Sequence, residues 1–302
     1  MKKFVVLLFL FVVACGPSGE FTSGTLTGSE GVVVSLVSSP QTIYEGEEFT
    51  LTYSVDNRGA TSVSEDDPGF VFLSYDALYL EYLGLTSRFS QNTFVLDGRT
   101  RFFDGEDSFI NAHFVARDID RFSREVSTNV LLTACYPYST NATVDVCIER
   151  DRNPDAGAIA CRGGPSRPAS SAAPIGIEEV EVRTGRTVIG GEDVLAPQFR
   201  ITLNNYGGGV PSASSCIDGN SSMLNTASVS VSVLNEPLEC LSSAGEEGLV
   251  RFSRNRVTIT CRLADTSDTV FSSTMGNFVS LLSVDLDYTY RDSVRTSLVV
   301  SR

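Results

Sequence analysis

Apolar and polar residues alternate with a period of two along most of the chain. In Ala227-Ser-Val229-Ser-Val231-Ser-Val233, alanine and valine take one face and serine the other, the pattern of a half-buried strand. Val257-Thr-Ile259-Thr-Cys261-Arg-Leu263 repeats it. Val284-Asp-Leu286-Asp-Tyr288-Thr-Tyr290 does so again, and Arg291-Asp292-Ser293 then predicts a turn before a last strand ending at Val300. Earlier, Phe49-Thr-Leu51-Thr-Tyr53-Ser-Val55 alternates and breaks at Asp56-Asn57-Arg58-Gly59. Ser74 to Leu85 comes nearest to a helical period and predicts at most a short helix. Short strands punctuated by Gly, Asn, Asp and Pro predict an all-β chain of sandwiches.

A repeat divides it in two. Leu51-x-Tyr53-x-Val55-Asp56-Asn57-x-Gly59 matches Phe199-x-Ile201-x-Leu203-Asn204-Asn205-x-Gly207 at a constant offset of 148. In both, a strand runs into a turn whose Asn and Gly tolerate left-handed backbone. Residues 151–174 are rich in Gly, Pro, Ala, Arg and Ser and carry no strand pattern. The expected organisation is one β-sandwich over 31–150, a cysteine-containing linker over 151–174 and a second sandwich over 175–302.

The first residues predict an address. Lys2 and Lys3 precede an apolar run from Phe4 to Ala14, too short for the roughly 20 residues of a spanning helix but of signal-peptide length. Val12-Val13-Ala14-Cys15 resembles the lipobox of prokaryotic lipoproteins. That resemblance implies a signal peptide over 1–14 and a lipidated Cys15 at the mature N-terminus, with membrane lipid as its partner on the outer face of the cell membrane. Firm anchoring takes two or more acyl chains. Residues 16–30, rich in Gly, Ser and Thr, read as a flexible tether.

Charge removes one class of partner. The formal net charge is −14, and near −16 once Lys2 and Lys3, which are the only lysines, leave with the leader. A chain of that sign repels phosphate backbones, so nucleic acid is not an expected partner.

Seven cysteines become six when Cys15 is lipidated, an even number that suits a disulfide framework in an exported protein. Cys135, Cys147, Cys161, Cys216, Cys240 and Cys261 contain no C-x₂-C pair of the kind zinc sites favour. Three precede the second unit and three follow, so full oxidation within one chain forces an odd number of bridges across the boundary. Cys240–Cys261 is the preferred internal pair, since one excursion joins their two strands. In the first group, Cys147–Cys161 and Cys135–Cys147 (across a hairpin turning near Asn141) both remain open.

The strand-then-Asn-x-Gly segments resemble CARDB-type and S-layer-associated Ig-like modules of archaeal and bacterial envelope proteins. The stretch Ala134-Cys135-Tyr136-Pro137-Tyr138-x-Thr140, Val146-Cys147-Ile148, Cys161 and Ala173-Pro174-Ile175 is similar to a group of archaeal surface proteins without an assigned biochemical function. Relatives often carry Gly-Gln-Gly before the Ala-Pro, where Ser170-Ser171-Ala172 stands here. The resemblance implies tandem Ig-like folds at a cell surface, not an activity.

Catalytic residue types are scarce. The mature chain has one histidine, His113, on a predicted strand, with no tryptophan and no lysine. A nucleophile triad needs a histidine beside a serine on a recognisable turn, and Schiff-base chemistry needs lysine. His113 is therefore expected to be structural, and no catalytic residue, metal or cofactor is assigned. Glu65-Asp66-Asp67 and Asp104-Gly105-Glu106-Asp107 could gather calcium in loops, but neither has EF-hand spacing, and solvated turns are the expected reading. Asn141-Ala-Thr143 and Asn220-Ser-Ser222 are glycosylation sequons. The expectation is a non-catalytic envelope lipoprotein that is structural, adhesive or partner-binding, its partner an envelope protein or glycan. The alternative is a secreted hydrolase or carbohydrate-binding lipoprotein on a β scaffold.

Overall fold

The computed structural model describes residues 26, 28–87, 92–149, 161–168, 172–189, 191–218, 220–241, 247–263, 271–272 and 276–302. Cys15, the leader, most of the tether and most of the 151–174 linker lie outside the described residues. The rest is an all-β sandwich fold whose sheets do not close into a barrel. Among the described residues no helix is long and apolar enough to cross a membrane.

The first half contributes β1 (Val32–Ser38), β2 (Thr42–Tyr44), β3 (Glu48–Asn57), β4 (Gly69–Tyr75), β5 (Leu80–Ser87), β6 (Thr93–Phe94), β7 (Asp107–Ala116) and β8 (Glu125–Ile148). The second contributes β9 (Ile175–Ile189), β10 (Glu192–Asn205), β11 (Val210–Ser212), β12 (Thr226–Val233), β13 (Glu236–Leu241), β14 (Leu249–Arg251), β15 (Arg256–Leu263), β16 (Phe271–Ser272) and β17 (Phe278–Ser301). One layer of the first sandwich is β1-β3-β7-β5, and the matching layer of the second is β9-β10-β15-β13.

Both sandwiches share the facing layer. Its spine is β8 and β17, each of 24 residues, paired antiparallel from Phe278↔Ile148 to Ser301↔Glu125 without a register shift. At about 3.3 Å per residue, the ribbon is about 80 Å long. Side chains alternate across it, and even-numbered residues face inward. From Thr128 to Ile148 all of those on β8 but Ala142 are buried, and from Ser280 to Val300 all of those on β17 but Asp292 and Val294. Serine, threonine, asparagine and charged residues hold most odd positions, so the outward face is polar and one face of one ribbon covers both sandwiches.

The two last strands are thereby exchanged. The N-terminal half of β8 lies in its own unit beside β4, while its C-terminal half runs under the second unit. The N-terminal half of β17 pairs with β12, and its end pairs with β2 at Val299↔Thr42, inside the first unit. Leu298 and Val300 fill the first core, and Thr296 is within hydrogen-bonding distance of Tyr53, 3.1 Å away. Chain order puts residues 292–302 in the second unit; in space they complete the first.

Two local expectations are corrected. Arg291-Asp292-Ser293 is not a turn but the middle of β17, because the ribbon register continues through it and the Asp292 carboxylate accepts the Val34 N–H at 3.3 Å. Ser74–Leu85 is not helical either. It is the end of β4, a turn closed by Leu80 N–H donating to the Asp76 carbonyl, and the start of β5. Its tyrosines pack by another logic, with Tyr75 and Tyr82 against Phe114 at 5.5 and 5.6 Å.

Candidate functional site

The waist of the molecule, where the two units meet, is organised by four tyrosines. Register sets Tyr136 opposite Tyr290 and Tyr138 opposite Tyr288 on the inward face of the ribbon. Neighbouring ring centroids lie 5.9–6.1 Å apart around the square. Each hydroxyl ties down a different backbone segment. Tyr136 accepts the Val32 N–H at 3.0 Å and donates to the Val32 carbonyl at 3.1 Å, fixing the start of β1. Tyr288 accepts the Ile175 N–H at 3.4 Å at the start of β9. Thr140 uses its proton on the Ile175 carbonyl, so the 2.9 Å bond between Tyr288 and Thr140 is donated by the tyrosine.

The other two explain the repeat. Tyr138 accepts the Thr61 N–H at 3.4 Å and donates to the Ala172 carbonyl at 2.9 Å; Tyr290 accepts the Gly209 N–H at 3.0 Å and donates to Asn205 Oδ1 at 2.7 Å. Thr61 and Gly209 each stand four residues after the repeat asparagine, whose amide donates to their carbonyls at 2.9 Å in both units. The repeat glycines are needed for space: a Cβ on Gly59 would overlap the Tyr138 hydroxyl, and one on Gly207 the Tyr290 hydroxyl. Burial in this apolar setting pushes the Tyr136 and Tyr288 phenols well above their ordinary value, raises Tyr138, and lifts Tyr290 to about 12.

On the opposite face of the ribbon, above the same point, lies an open cleft of about 680 Å³. Its floor is Pro137, Ser139, Asp287 and Thr289, the odd-numbered neighbours of the tyrosines. The walls are equivalent segments of the two units, 61–68 after β3 and 213–217 after β11. One wall is stapled covalently, since Cys216 is bonded to Cys135 on β8 with Cα atoms 5.7 Å apart. The Thr289 hydroxyl also donates to the Ser214 carbonyl at 2.8 Å. The other wall is held by hydrogen bonds, among them Thr61 Oγ1 to the Ser139 carbonyl at 2.9 Å. Pro68, Phe70 and Ile217 supply apolar surface, and the carboxylates are Asp66, Asp67 and Asp287, all exposed.

The structure joins the six cysteines as Cys135–Cys216, Cys147–Cys161 and Cys240–Cys261. One bridge crosses from the first group to the second. No hairpin forms at Asn141, which lies in mid-strand with its side chain exposed on the outward face beside the cleft floor. Asn220 caps the 3₁₀ turn Ser221–Met223, its side-chain Oδ1 accepting the Ser222 N–H and hydroxyl at 3.1 and 2.7 Å. His113 does not line the cleft: on the outward face of β7 it bridges Thr50 at 3.0 Å and Thr86 at 2.9 Å. Of the acidic loops, Glu65-Asp66-Asp67 belongs to a cleft wall. Asp104 and Asp107 border a second hollow with Glu30, Asp56 and Arg58. Among the described residues, no three His, Cys, Asp or Glu side chains are grouped to hold a metal ion.

Sequence reasoning passed over the quartet and the cleft floor. The available signal was Tyr136-Pro137-Tyr138 against Tyr288-Thr289-Tyr290, a second repeat at an offset of 152. Three disulfides fit an oxidising, extracellular setting.

No family model matches the chain, and no curated protein does. The Enterococcus faecalis adhesin ACE, which binds its ligands by the collagen hug model, is similar at 10% identity over 92% of this chain and 98% of that one, with a TM-score of 0.13. The collagen adhesin CNA from S. aureus is similar at 10% identity over 91% and 93%, with a TM-score of 0.10. Both likenesses are too slight to bear on fold or ligand.

Proposed function

We propose that this chain is a non-catalytic surface lipoprotein of the cell envelope, related to tandem Ig-like envelope modules, which presents the waist cleft to an envelope protein or glycan. One observation carries the reading: chain entry and cleft occupy opposite faces of the same ribbon at the same point. Val32 is bound to Tyr136 on the inward face, while Pro137, Ser139 and Asp287 open on the outward face. A chain anchored through Cys15 is held from the inward side and offers the cleft away from the bilayer. The cleft carboxylates support binding rather than hydrolysis. Asp66, Asp67 and Asp287 are all exposed, which suits hydrogen bonds to a polar partner docked in the open cleft.

The test uses the mature chain as bait on intact cells, beside Ser228→Trp, which fills the cleft from an exposed strand position. The expected result is a partner retained by the first and lost by the second at unchanged melting temperature. Equal capture by both overturns the assignment of the cleft. Turnover of a glycan or peptide that Asp287→Asn abolishes overturns the non-catalytic reading.

A further inference from the structure

The segment between β6 and β7 holds two phenylalanines in water. Phe102 is 98% exposed and Phe103 46% exposed, at the tip of Arg99-Thr100-Arg101-Phe102-Phe103. Two adjacent exposed phenylalanines form an apolar patch, whereas a singly exposed side chain such as Phe122 needs no explanation. The tip is also built rather than loose. Thr100 N–H donates to the Phe103 carbonyl at 2.8 Å, and Phe102 N–H to the Thr100 hydroxyl at 3.3 Å. At the base, Glu106 N–H donates to the Asp97 carbonyl at 3.0 Å and Arg99 N–H to the Gly59 carbonyl at 2.6 Å.

Its position gives the partner. Arg99 Nη2 lies 3.1 Å from where a Cβ of Gly28 would stand, so the tip adjoins the point where the chain enters the fold. Arg99 and Asp104 border the same hollow as Glu30, Asp56 and Arg58, on the outer side of the β1-β3-β7-β5 sheet and away from the cleft. Between Cys15 and Gly28 the chain advances 13 residues, which reach at most about 45 Å even fully extended. A lipid-anchored Cys15 therefore keeps this tip, more than any distal loop, within reach of the membrane.

We infer that Phe102 and Phe103 seat in the interface of the anchoring bilayer, with Arg99 and Arg101 at headgroup level. This sets the orientation in which the cleft faces outward. The inference rests on the lipid-anchor reading. A neutral, zwitterionic surface fits best, because Glu30, Asp56, Asp104 and Asp107 close by would oppose an anionic one.

The chain contains no tryptophan, so one substitution makes an unambiguous reporter. The mature chain carrying Phe102→Trp would be coupled through Cys15, the one cysteine outside the three bridges, to a maleimide lipid in phosphatidylcholine vesicles. A second sample would carry Phe122→Trp, at a site 97% exposed in the β7–β8 loop. The expected result is blue-shifted emission, quenched by brominated acyl chains, for Phe102→Trp and solvent-like emission for Phe122→Trp. Solvent-like emission from both overturns the inference. So does a Phe102→Trp shift that appears only when envelope protein is added. Because coupling is chemical, these outcomes do not depend on lipidation in the cell, which is judged separately by whether Cys15→Ser releases the protein from sedimented membranes.

Discussion

Where β13 lies beside β15 in the second unit, Cys240 is opposite Cys261 and bonded to it; at the matching place in the first, Leu85 lies opposite Ala112. The repeat offset makes the positions equivalent, since Ala112 pairs with Leu51 as Cys261 pairs with Phe199. A second contrast lies at the ribbon's two ends. The end of β17 is flanked by β2, whereas the end of β8 is tied through Cys147 to Cys161 in the linker. A third sits beside the tyrosines, where Thr140 serves the start of β9 and Asp292 serves β1. Two copies of one plan thus close the same seams differently. The first relies on packing and strand pairing, and the second on covalent bonds. What the waist shares is narrower: in both units the asparagine amide donates to the carbonyl four residues on, and a tyrosine hydroxyl accepts that same residue's N–H, although Tyr138 donates to the Ala172 carbonyl and Tyr290 to Asn205 Oδ1.

The strongest way to break the comparison is to remove Ser293–Arg302. If the units are interdependent, the first loses Leu298 and Val300, fully buried side chains worth about 2–5 kcal/mol each against a usual domain stability of about 5–15 kcal/mol. We expect no cooperative thermal transition for the first unit, followed by circular dichroism and by protease resistance of residues 28–149. A truncated chain that keeps that resistance would show two independent domains.

A finer cut separates covalent from packed closure. Cys240→Ala with Cys261→Ala should cost about 3 kcal/mol, the chain-entropy value for a loop of 21 residues. Copying the first unit with Cys240→Leu and Cys261→Ala should recover part of that loss in urea unfolding. Equal midpoints for the two double variants would mean that the apolar pair is no substitute.

The waist predicts equality instead. Tyr138→Phe and Tyr290→Phe each strand one backbone N–H, of Thr61 or Gly209, and should each cost about 1–3 kcal/mol. Their pH behaviour follows from burial. A phenol whose folded pKa is raised contributes stability that is intact below its unfolded value near 10 and is lost as pH rises through the folded value. For Tyr290, raised to about 12, the loss runs from pH 10 to 12 and amounts to about 3 kcal/mol. Melting temperature against pH should fall in that window and fall less in Tyr290→Phe.

The smallest effect belongs to Asp292. Burial raises its carboxyl above 3.8, so its ionised form disfavours folding at neutral pH. Asp292→Thr, the residue of the matching position, should stabilise by less than about 1 kcal/mol at pH 7 given solvent screening. The gain should fade as pH falls through the unfolded value of 3.8 and be gone once the carboxyl is protonated in both states. A loss at pH 7 would show that the bond to Val34 outweighs the burial.

The strands were legible because alternation is local: Ala227 to Val233 and Phe49 to Val55 need no partner to be read. So was the duplication, because Asn57 and Asn205 each end a strand and donate the side-chain amide to the carbonyl four residues on. The exchange of last strands was not legible. Alternation tells which face of a strand is buried, not how far the strand runs or whose core covers it. Arg291-Asp292-Ser293 therefore passed for a turn, being polar in a stretch whose inward side is partly solvated. The cleft was hidden for a related reason. Pro137, Ser139 and Asp287 look like ordinary outward residues until two loops from separate units rise on either side.

The constant register between Glu125–Ile148 and Phe278–Ser301 also sets a timetable. Ribosomes deliver the N-terminal half first, at about 5–20 residues per second, so β8 waits roughly eight to thirty seconds for β17 to be made. Until then the first unit has an open seam and an unpaired strand edge, the state most prone to join the wrong neighbour. The pairing along this seam forms only once β17 has been made.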